Sequence, residues 1–160
     1  MESSRPQFPG TPPRLRSLYV SEPLYFITFC TQDRIACLAN APAHDAFLVF
    51  CRKAHETHGI AVGRYVIMPD HIHFFLRLPP DRTLSPWIAL LKQKLTVTIR
   101  SGGIQAEHIW QRGFFDHVLR SGESYAEKWQ YVFWNPVRKG LVQSVEQWPF
   151  AGEIVVIDRA

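Results

Sequence analysis

Hydrophobic residues along the chain recur with two different spacings, one typical of strands and the other of helices. Short runs rich in β-branched and aromatic residues alternate with longer stretches in which apolar residues return every three or four positions. The runs predict four strands, at residues 24–32 (β1), 60–68 (β2), 71–78 (β3) and 114–120 (β4). The helical spacing predicts three helices, at residues 42–58 (α1), between Ser85 and Gly102 (α2), and at residues 124–135 (α3).

The predicted helix ends carry residues that commonly cap helices. Ser85 is a favourable N-cap for α2, and Pro86 suits the first helical position because its missing N–H would have no partner there. Gly59 suits the C-terminal end of α1. Ser124, with a glutamate three residues later, has the spacing of a capping box at the start of α3, and Asn135 precedes a proline that would end that helix.

The element order β-α-β-β-α-β-α predicts an α/β fold, a ferredoxin-like split β-α-β sandwich. Its antiparallel sheet would carry helices on one face and an added C-terminal helix. A chain of 160 residues suits one domain, expected at residues 23–150. Residues 1–22, rich in proline and arginine, predict a flexible basic arm, and residues 151–160 a tail that could pair at a sheet edge or pack loosely.

Composition adds a mild bias toward a polyanionic partner. Lysine and arginine exceed aspartate and glutamate by 18 to 14, and five tryptophans and eleven phenylalanines accompany them. Basic and aromatic side chains together suit phosphate contact and base stacking, although an aromatic-rich core is the more ordinary explanation. No apolar run is long enough to cross a bilayer, and the first ten residues do not resemble a signal peptide, so a cytoplasmic protein is expected.

The three cysteines are odd in number and lack metal-binding spacing, which favours free thiols in a reducing compartment. Cys51 and His55 lie four residues apart on α1. They could share a metal, but such a pair is more often ordinary packing.

Two histidines one residue apart in β3 form the strongest candidate for chemistry. Side chains alternate along a strand, so His71 and His73 would share one face, about 7 Å apart along the backbone. Two neutral imidazoles so placed can bind one metal or one phosphate, although both could equally be hydrogen-bonded or solvent-facing. On α3, Tyr131 and Asn135 are four residues apart and would share a helix face, presenting a phenol and an amide.

These residues stand in motifs that resemble a known family. The motifs are "YFITFCTQDR" in the opening strand, "YVIMPDHIHFFLRLP" around the histidines, "WQRGFFDHVLRSGESY" around β4, and "YVFWNPVRKGLV" after the tyrosine. Together they resemble the HUH-type tyrosine transposases and, within them, the REP-associated branch with an IS200-like transposase domain. The resemblance covers about residues 19–150.

The resemblance implies a metal-dependent endonuclease and strand transferase (a transposase-like enzyme) that acts on single-stranded, hairpin-forming DNA. It implies that His71, His73 and Asn135 bind a divalent cation, Mg²⁺ or Mn²⁺. Many relatives have glutamine where Asn135 stands. It also implies that Tyr131 is the nucleophile and forms a 5′-phosphotyrosine. Relatives of this kind act as monomers or as homodimers, and a monomer is expected here, with a homodimer as the alternative.

Residues flanking the expected site supply candidate DNA contacts and a candidate base. The candidate DNA-binding residues are Arg77, Arg112, Arg120, Arg138 and Lys139. Asp116 and His117 are candidates for a base that assists the phenol.

Two other functions compete with the enzyme. A basic, aromatic-rich sheet of this topology also serves RNA-recognition modules, but β1 and β3 lack their glycine-aromatic signature. A host-adopted transposase could instead bind hairpin DNA without catalysis or mobility.

Overall fold

The computed structural model describes residues 23–119 and 122–157, and its centre is a five-stranded antiparallel sheet. The strands are Leu24–Cys30 (β1), Ala61–Ile67 (β2), His71–Arg77 (β3), Phe115–Leu119 (β4) and Ala151–Glu153 (β5). They lie in the order β4-β1-β3-β2-β5, with every neighbouring pair antiparallel. The first four follow the predicted ferredoxin-like order, which confirms the fold class.

In the described part of the chain, four helices pack against this sheet or connect its strands. They are Ala41–His58 (α1), Leu84–Ser101 (α2), Gly122–Phe133 (α3) and the short Asn135–Arg138 (α4), with 3-10 turns at Gln32–Arg34 and Val145–Gln147. Residues of α1 and α2, among them Phe47 and Leu91, join one face of β3 in the larger core cluster. Val132 of α3 joins Phe26 and Phe75 in a smaller cluster on the opposite face. The central strands are therefore covered on both sides, as their mostly apolar sequences require.

Two helix starts differ from the prediction. Helix α2 begins at Leu84, with Thr83 at the N-cap and no side-chain capping bond, so Ser85 and Pro86 lie inside its first turn. Proline is tolerated there because the first four N–H groups of a helix have no intrahelical acceptor. Helix α3 begins at Gly122, so Ser124 is not its N-cap. The predicted α1 is confirmed within one residue, and Gly59 ends it with a left-handed φ of 67°.

The end of α3 also differs from the prediction. The helix ends at Phe133 rather than Asn135, and Asn135 is the first residue of α4. Pro136 explains the break, because a proline ring collides with the carbonyl four residues earlier and offers no N–H to it. The same proline is compatible with the first turn of a new helix, where it lies in α4.

Part of the predicted C-terminal tail belongs to the sheet. β5 pairs with β2, with Val66 opposite Ala151. Beyond β5, the N–H groups of Ile154 and Val155 donate to the carbonyls of Gly63 and Val62. The predicted arm at residues 1–22 and the candidate DNA contact Arg120 lie outside the described residues. Among the described helices, none is both long and apolar enough to cross a membrane.

Candidate active site

His71 and His73 share one face of β3, as predicted, and their rings contact each other. The ring centroids are 4.7 Å apart and the planes are inclined by 81°. The alternate β3 residues Ile72 and Phe74 lie in the larger core under α1 and α2. The histidines therefore lie on the face that α3 covers, together with Phe75.

Each imidazole is fixed through its Nδ1 atom. His71 Nδ1 lies 2.7 Å from Asp70 Oδ1, and because a carboxylate accepts only, the imidazole donates and its Nε2 keeps a lone pair. His73 Nδ1 lies 2.7 Å from the Thr28 hydroxyl. Thr28 is directly opposite His73 in the β1–β3 ladder. Both rings thus keep Nε2 for a further partner.

Asn135 is the side chain on which both Nε2 atoms converge. Its amide nitrogen lies 3.3 Å from Nε2 of His71 and 3.4 Å from Nε2 of His73. Asn135 is buried, with 9% of its surface exposed. Rotation of the amide by 180° exchanges its nitrogen and oxygen, so the same position can present an oxygen beside the two imidazole nitrogens.

This side-chain set fits a divalent cation. Imidazole nitrogen is a ligand of divalent first-row transition metals, amide oxygen suits Mn²⁺ and Mg²⁺, and three protein ligands leave positions open for substrate. Within residues 23–119 and 122–157, no group of three or more His, Cys, Asp or Glu could hold a metal. A metal at this site therefore depends on the amide of Asn135.

Burial favours the neutral, ligating form of both histidines. It lowers the pKa of His73 to about 3, with repulsion from His71 and from nearby lysine and arginine charges adding to the effect. Burial also lowers the pKa of His71, although the bond to Asp70 opposes that shift. At neutral pH both rings are uncharged, and His71 has an available Nε2 lone pair because its Nδ1 donates to Asp70.

The face of His73 is enclosed by residues that the sequence did not single out. The Phe26 ring stacks on the imidazole with centroids 5.4 Å apart and planes inclined by 17°. The ammonium of Lys128, on α3, lies 5.2 Å from the centre of the Phe26 ring. Lys128 was missed because its position depends on how α3 packs on the sheet, which helical periodicity does not reveal.

Tyr131 is exposed to solvent and held by Arg138. Its side chain is 66% exposed. The Arg138 guanidinium lies 4.1 Å from the centre of the tyrosine ring, and its Nη2 donates to the Tyr131 carbonyl at 2.6 Å. Tyr131 and Asn135 were predicted to share a face of one helix. They instead meet different surroundings, since Asn135 is buried against the histidines.

Of the two candidate bases, His117 lines a shallow groove beside Tyr131 and Asp116 does not. The groove is lined by His117, Leu119, Glu127, Lys128 and Tyr131. Asp116 lies opposite Ile27, a residue of the larger core, and so belongs to the other face of β4. His117 and Glu127 are the acid–base groups that share the groove with the phenol.

Tyr125, on the same helix as Tyr131, is a core residue. It is 6% exposed and its ring packs edge-on against Phe75, with centroids 4.6 Å apart. Burial raises the pKa of its phenol, which disfavours the phenolate.

The basic residues divide into exposed ones and ones with structural partners. Arg112 and Lys139 are exposed, whereas Arg138 contacts Tyr131 and Arg77 lies half-buried at the end of β3. Lys92 of α2 donates to the carbonyls of Gln111 and Gly113 and so supports a loop.

The two residues of the alternative metal pair on α1 differ in burial. Cys51 is fully buried, and burial raises the pKa of its thiol well above the usual range. His55, four residues later on the same helix, is exposed. The three cysteines are free thiols, as predicted.

Comparison with known proteins finds relatives of one family in both sequence and structure. Residues 19–134 match the family model described as Transposase IS200 like. A Haemophilus influenzae protein, provisionally named a REP-associated tyrosine transposase, is 30% identical over 138 residues, which cover 80% of this chain and 78% of the relative. The REP-associated tyrosine transposase of Escherichia coli is 33% identical over 92 residues, 56% of this chain and 52% of that protein.

Solved structures agree with these relatives. A REP-associated tyrosine transposase bound to a REP hairpin matches with a TM-score of 0.67 and 25% identity, over 81% of this chain and 75% of that one. A candidate transposase from Deinococcus radiodurans, 18% identical with a TM-score of 0.51 over 69% of this chain and 88% of that one, shares the fold. The chain therefore belongs to the IS200-like transposase family, in its branch of REP-associated tyrosine transposases.

Proposed function

We propose that this protein is a divalent-metal-dependent endonuclease and strand transferase for single-stranded DNA that folds into hairpins. The observation that carries the proposal is the convergence of two imidazole Nε2 atoms on the Asn135 amide. The solved relative is described as bound to a REP hairpin, which supports hairpin DNA as the substrate here as well.

His71, His73 and Asn135 would hold the cation, Mn²⁺ or Mg²⁺. When bound, such an ion supplies polarisation of a non-bridging phosphate oxygen and neutralises charge that develops in the transition state. The neutral imidazoles, held at Nδ1 by Asp70 and Thr28, are already oriented for this role.

Tyr131 would act as the nucleophile. Its phenol oxygen forms a bond to phosphorus while the bond from phosphorus to the 3′ oxygen breaks, which leaves a free 3′-hydroxyl and a 5′-phosphotyrosine. The phenol proton passes to a base, for which His117 and Glu127 of the shared groove are suitable. A second 3′-hydroxyl can then attack the phosphotyrosine and join new ends.

The packing of α3 supports a site completed within one chain. Val132, next to Tyr131, is buried with Phe26 and Phe75 on the sheet face that carries the histidines. We therefore favour a monomer as the active form.

DNA would be held by the basic side chains around this face. The described residues proposed for phosphate contact are Arg77, Arg112, Arg138, Lys139 and, added by the structure, Lys128. Trp134, 46% exposed beside the site, is suited to stacking on an unpaired base.

The test is formation of a covalent adduct with hairpin oligonucleotides in Mn²⁺. A 5′-phosphotyrosine joins the protein to the fragment that keeps the 3′ end. A 3′-labelled oligonucleotide should therefore transfer its label to the protein and a 5′-labelled one should not. Tyr131→Phe should abolish the adduct, because phenylalanine keeps the ring and removes the nucleophilic oxygen.

Tyr125→Phe is the matched control, since it removes a phenol of the same helix that is buried in the core. It should retain the adduct. Hairpin binding without an adduct in any divalent metal would instead favour the non-catalytic binding module. An adduct that persists in Tyr131→Phe would assign the nucleophile to another residue.

A further inference from the structure

We infer that Asp70 and Arg34 are positioning residues that hold His71 with its Nε2 directed at the Asn135 amide. This inference rests on the proposed function, because the position it explains is that of a metal ligand. Neither residue was a candidate from the sequence.

The carboxylate of Asp70 is fixed by one partner on each oxygen. Its Oδ1 accepts from His71 Nδ1 at 2.7 Å, and its Oδ2 lies 3.1 Å from Nε of Arg34. Two bonds in different directions hold the carboxylate plane, whereas a single bond would let it rotate. The imidazole is thereby restricted to the tautomer with hydrogen on Nδ1 and a free lone pair on Nε2.

The main chain of Asp70 is held as well. Thr31 is fully buried; its N–H donates to the Asp70 carbonyl at 2.9 Å, and its hydroxyl, which has a single proton, lies 3.1 Å from that carbonyl. The hydroxyl also lies 2.9 Å from the carbonyl of Ile35. Thr31 therefore ties the turn that precedes His71 to the segment that carries Arg34.

That segment has an unusual backbone. Asp33 and Arg34 have φ angles of 54° and 55°, the only non-glycine residues with positive φ among those described. Residues other than glycine, asparagine and aspartate rarely adopt this conformation, and such outliers cluster at functional sites. Here the bent turn brings the Arg34 guanidinium to Asp70, which gives the outlier a physical role.

The two histidines are not held in the same way. His73 has a neutral partner, the Thr28 hydroxyl, while His71 has an ionised one. A carboxylate at Nδ1 makes the opposite nitrogen a stronger donor to a metal. His71 is therefore the proposed ligand whose donor strength depends on a charged side chain outside the histidine and asparagine set.

The first measurement is the tautomer of His71 in long-range ¹H–¹⁵N spectra of the full chain in EDTA, with the signal assigned by His71→Gln. Wild type should show a single tautomer with hydrogen on Nδ1. Asp70→Ala removes the acceptor and should give a mixture. Asp70→Asn keeps an acceptor oxygen without the charge and should restore much of the wild-type tautomer. A purely structural role for Asp70 would leave the spectrum unchanged.

The second measurement is calorimetric titration with MnCl₂. Asp70→Ala should weaken binding about ten- to hundredfold, the usual range for loss of such a partner. Arg34→Ala distinguishes positioning from simple electrostatics by the direction in which the Mn²⁺ affinity changes. Removal of a positive charge near a cation should tighten binding by electrostatics alone, whereas loss of positioning should weaken it.

Glu153→Gln is the matched control, because it breaks a similarly exposed ion pair, Arg64 with Glu153 at 3.2 Å, on β2 and β5. It should change neither measurement. Wild-type affinity and tautomer in Asp70→Ala, or tighter Mn²⁺ binding in Arg34→Ala, would overturn the positioning role. A wild-type protein that binds no Mn²⁺ would instead refute the metal site of the proposed function.

Discussion

At the scale of single residues, the contact of Arg138 with Tyr131 gives a basic side chain a role other than phosphate binding. An arginine near a proposed nuclease site is easily assigned to the DNA backbone. Here the guanidinium lies over the tyrosine ring and bonds to the tyrosine carbonyl. Arg138 therefore restrains the phenol directly, and any phosphate contact would be additional.

Arg138→Gln should slow formation of the phosphotyrosine adduct about tenfold at saturating DNA, because the ring loses a cation–π partner and a charge-assisted bond. The measurement is the single-turnover rate with a 3′-labelled hairpin. Arg112→Gln, which changes an exposed arginine, should weaken DNA binding and its salt dependence but leave that rate unchanged. Equal rates in wild type and Arg138→Gln would exclude the restraining role.

At the scale of elements, the sequence was sufficient for most strands and helices but not for their ends near functional residues. The four predicted strands and α1 were found within two residues of their expected bounds, because both faces of the central strands are buried and α1 has clear caps. The break before Asn135 was not predicted, since Pro136 can either end a helix or lie in the first turn of a new one.

The contacts that define the site could not be predicted from the sequence, because they depend on strand register and on packing between elements. The pairing of Thr28 with His73 follows from the β1–β3 register, and that of Arg34 with Asp70 from a turn with positive φ. Neither has a local sequence signal. The histidine pair was predictable because it needs only the alternation of one strand.

The C-terminal end of α1 provides a test at this scale. Gly59 has a φ of 67°, and its N–H caps the helix. An added Cβ would lie 3.8 Å from Pro79 Cγ, an ordinary contact, so Gly59→Ala should cost about 1 kcal/mol through the backbone alone. Urea denaturation measures this. Gly59→Asn should cost less, because asparagine tolerates this conformation, and equal losses in both variants would refute the backbone explanation.

At the scale of the whole molecule, the lowered pKa of the partly buried His73 is expected to make stability depend on pH. An unfolded histidine takes up a proton near pH 6.5, while folding lowers the pKa of His73 to about 3. Above pH 6.5 the His73 imidazole is neutral in both the folded and the unfolded state, so it does not change the free energy of unfolding. As the pH falls from 6.5 toward 3, the unfolded state binds a proton that the native state does not, so the native state loses stability.

We expect this loss to be at most ~3 kcal/mol by pH 4 for His73. Urea denaturation in EDTA at pH 7 and pH 4 measures it, and His73→Gln should show a smaller decrease because glutamine does not titrate. The difference between the two proteins isolates His73 from the carboxylates. A decrease as large in His73→Gln as in wild type would show that other groups cause the acid sensitivity.

The connection between β2 and β3 has a consequence for the order in which the chain assembles. These strands are neighbours in sequence, and a hairpin of this kind forms in microseconds. Asn135 lies 64 residues after His71, and a contact so distant in sequence carries a larger loop-closure cost. During synthesis the histidine strand emerges long before Asn135 and Tyr131. The proposed site is therefore completed only after α3 and α4 have been synthesised, and fragments that end before α3 have the histidines without Tyr131 and Asn135.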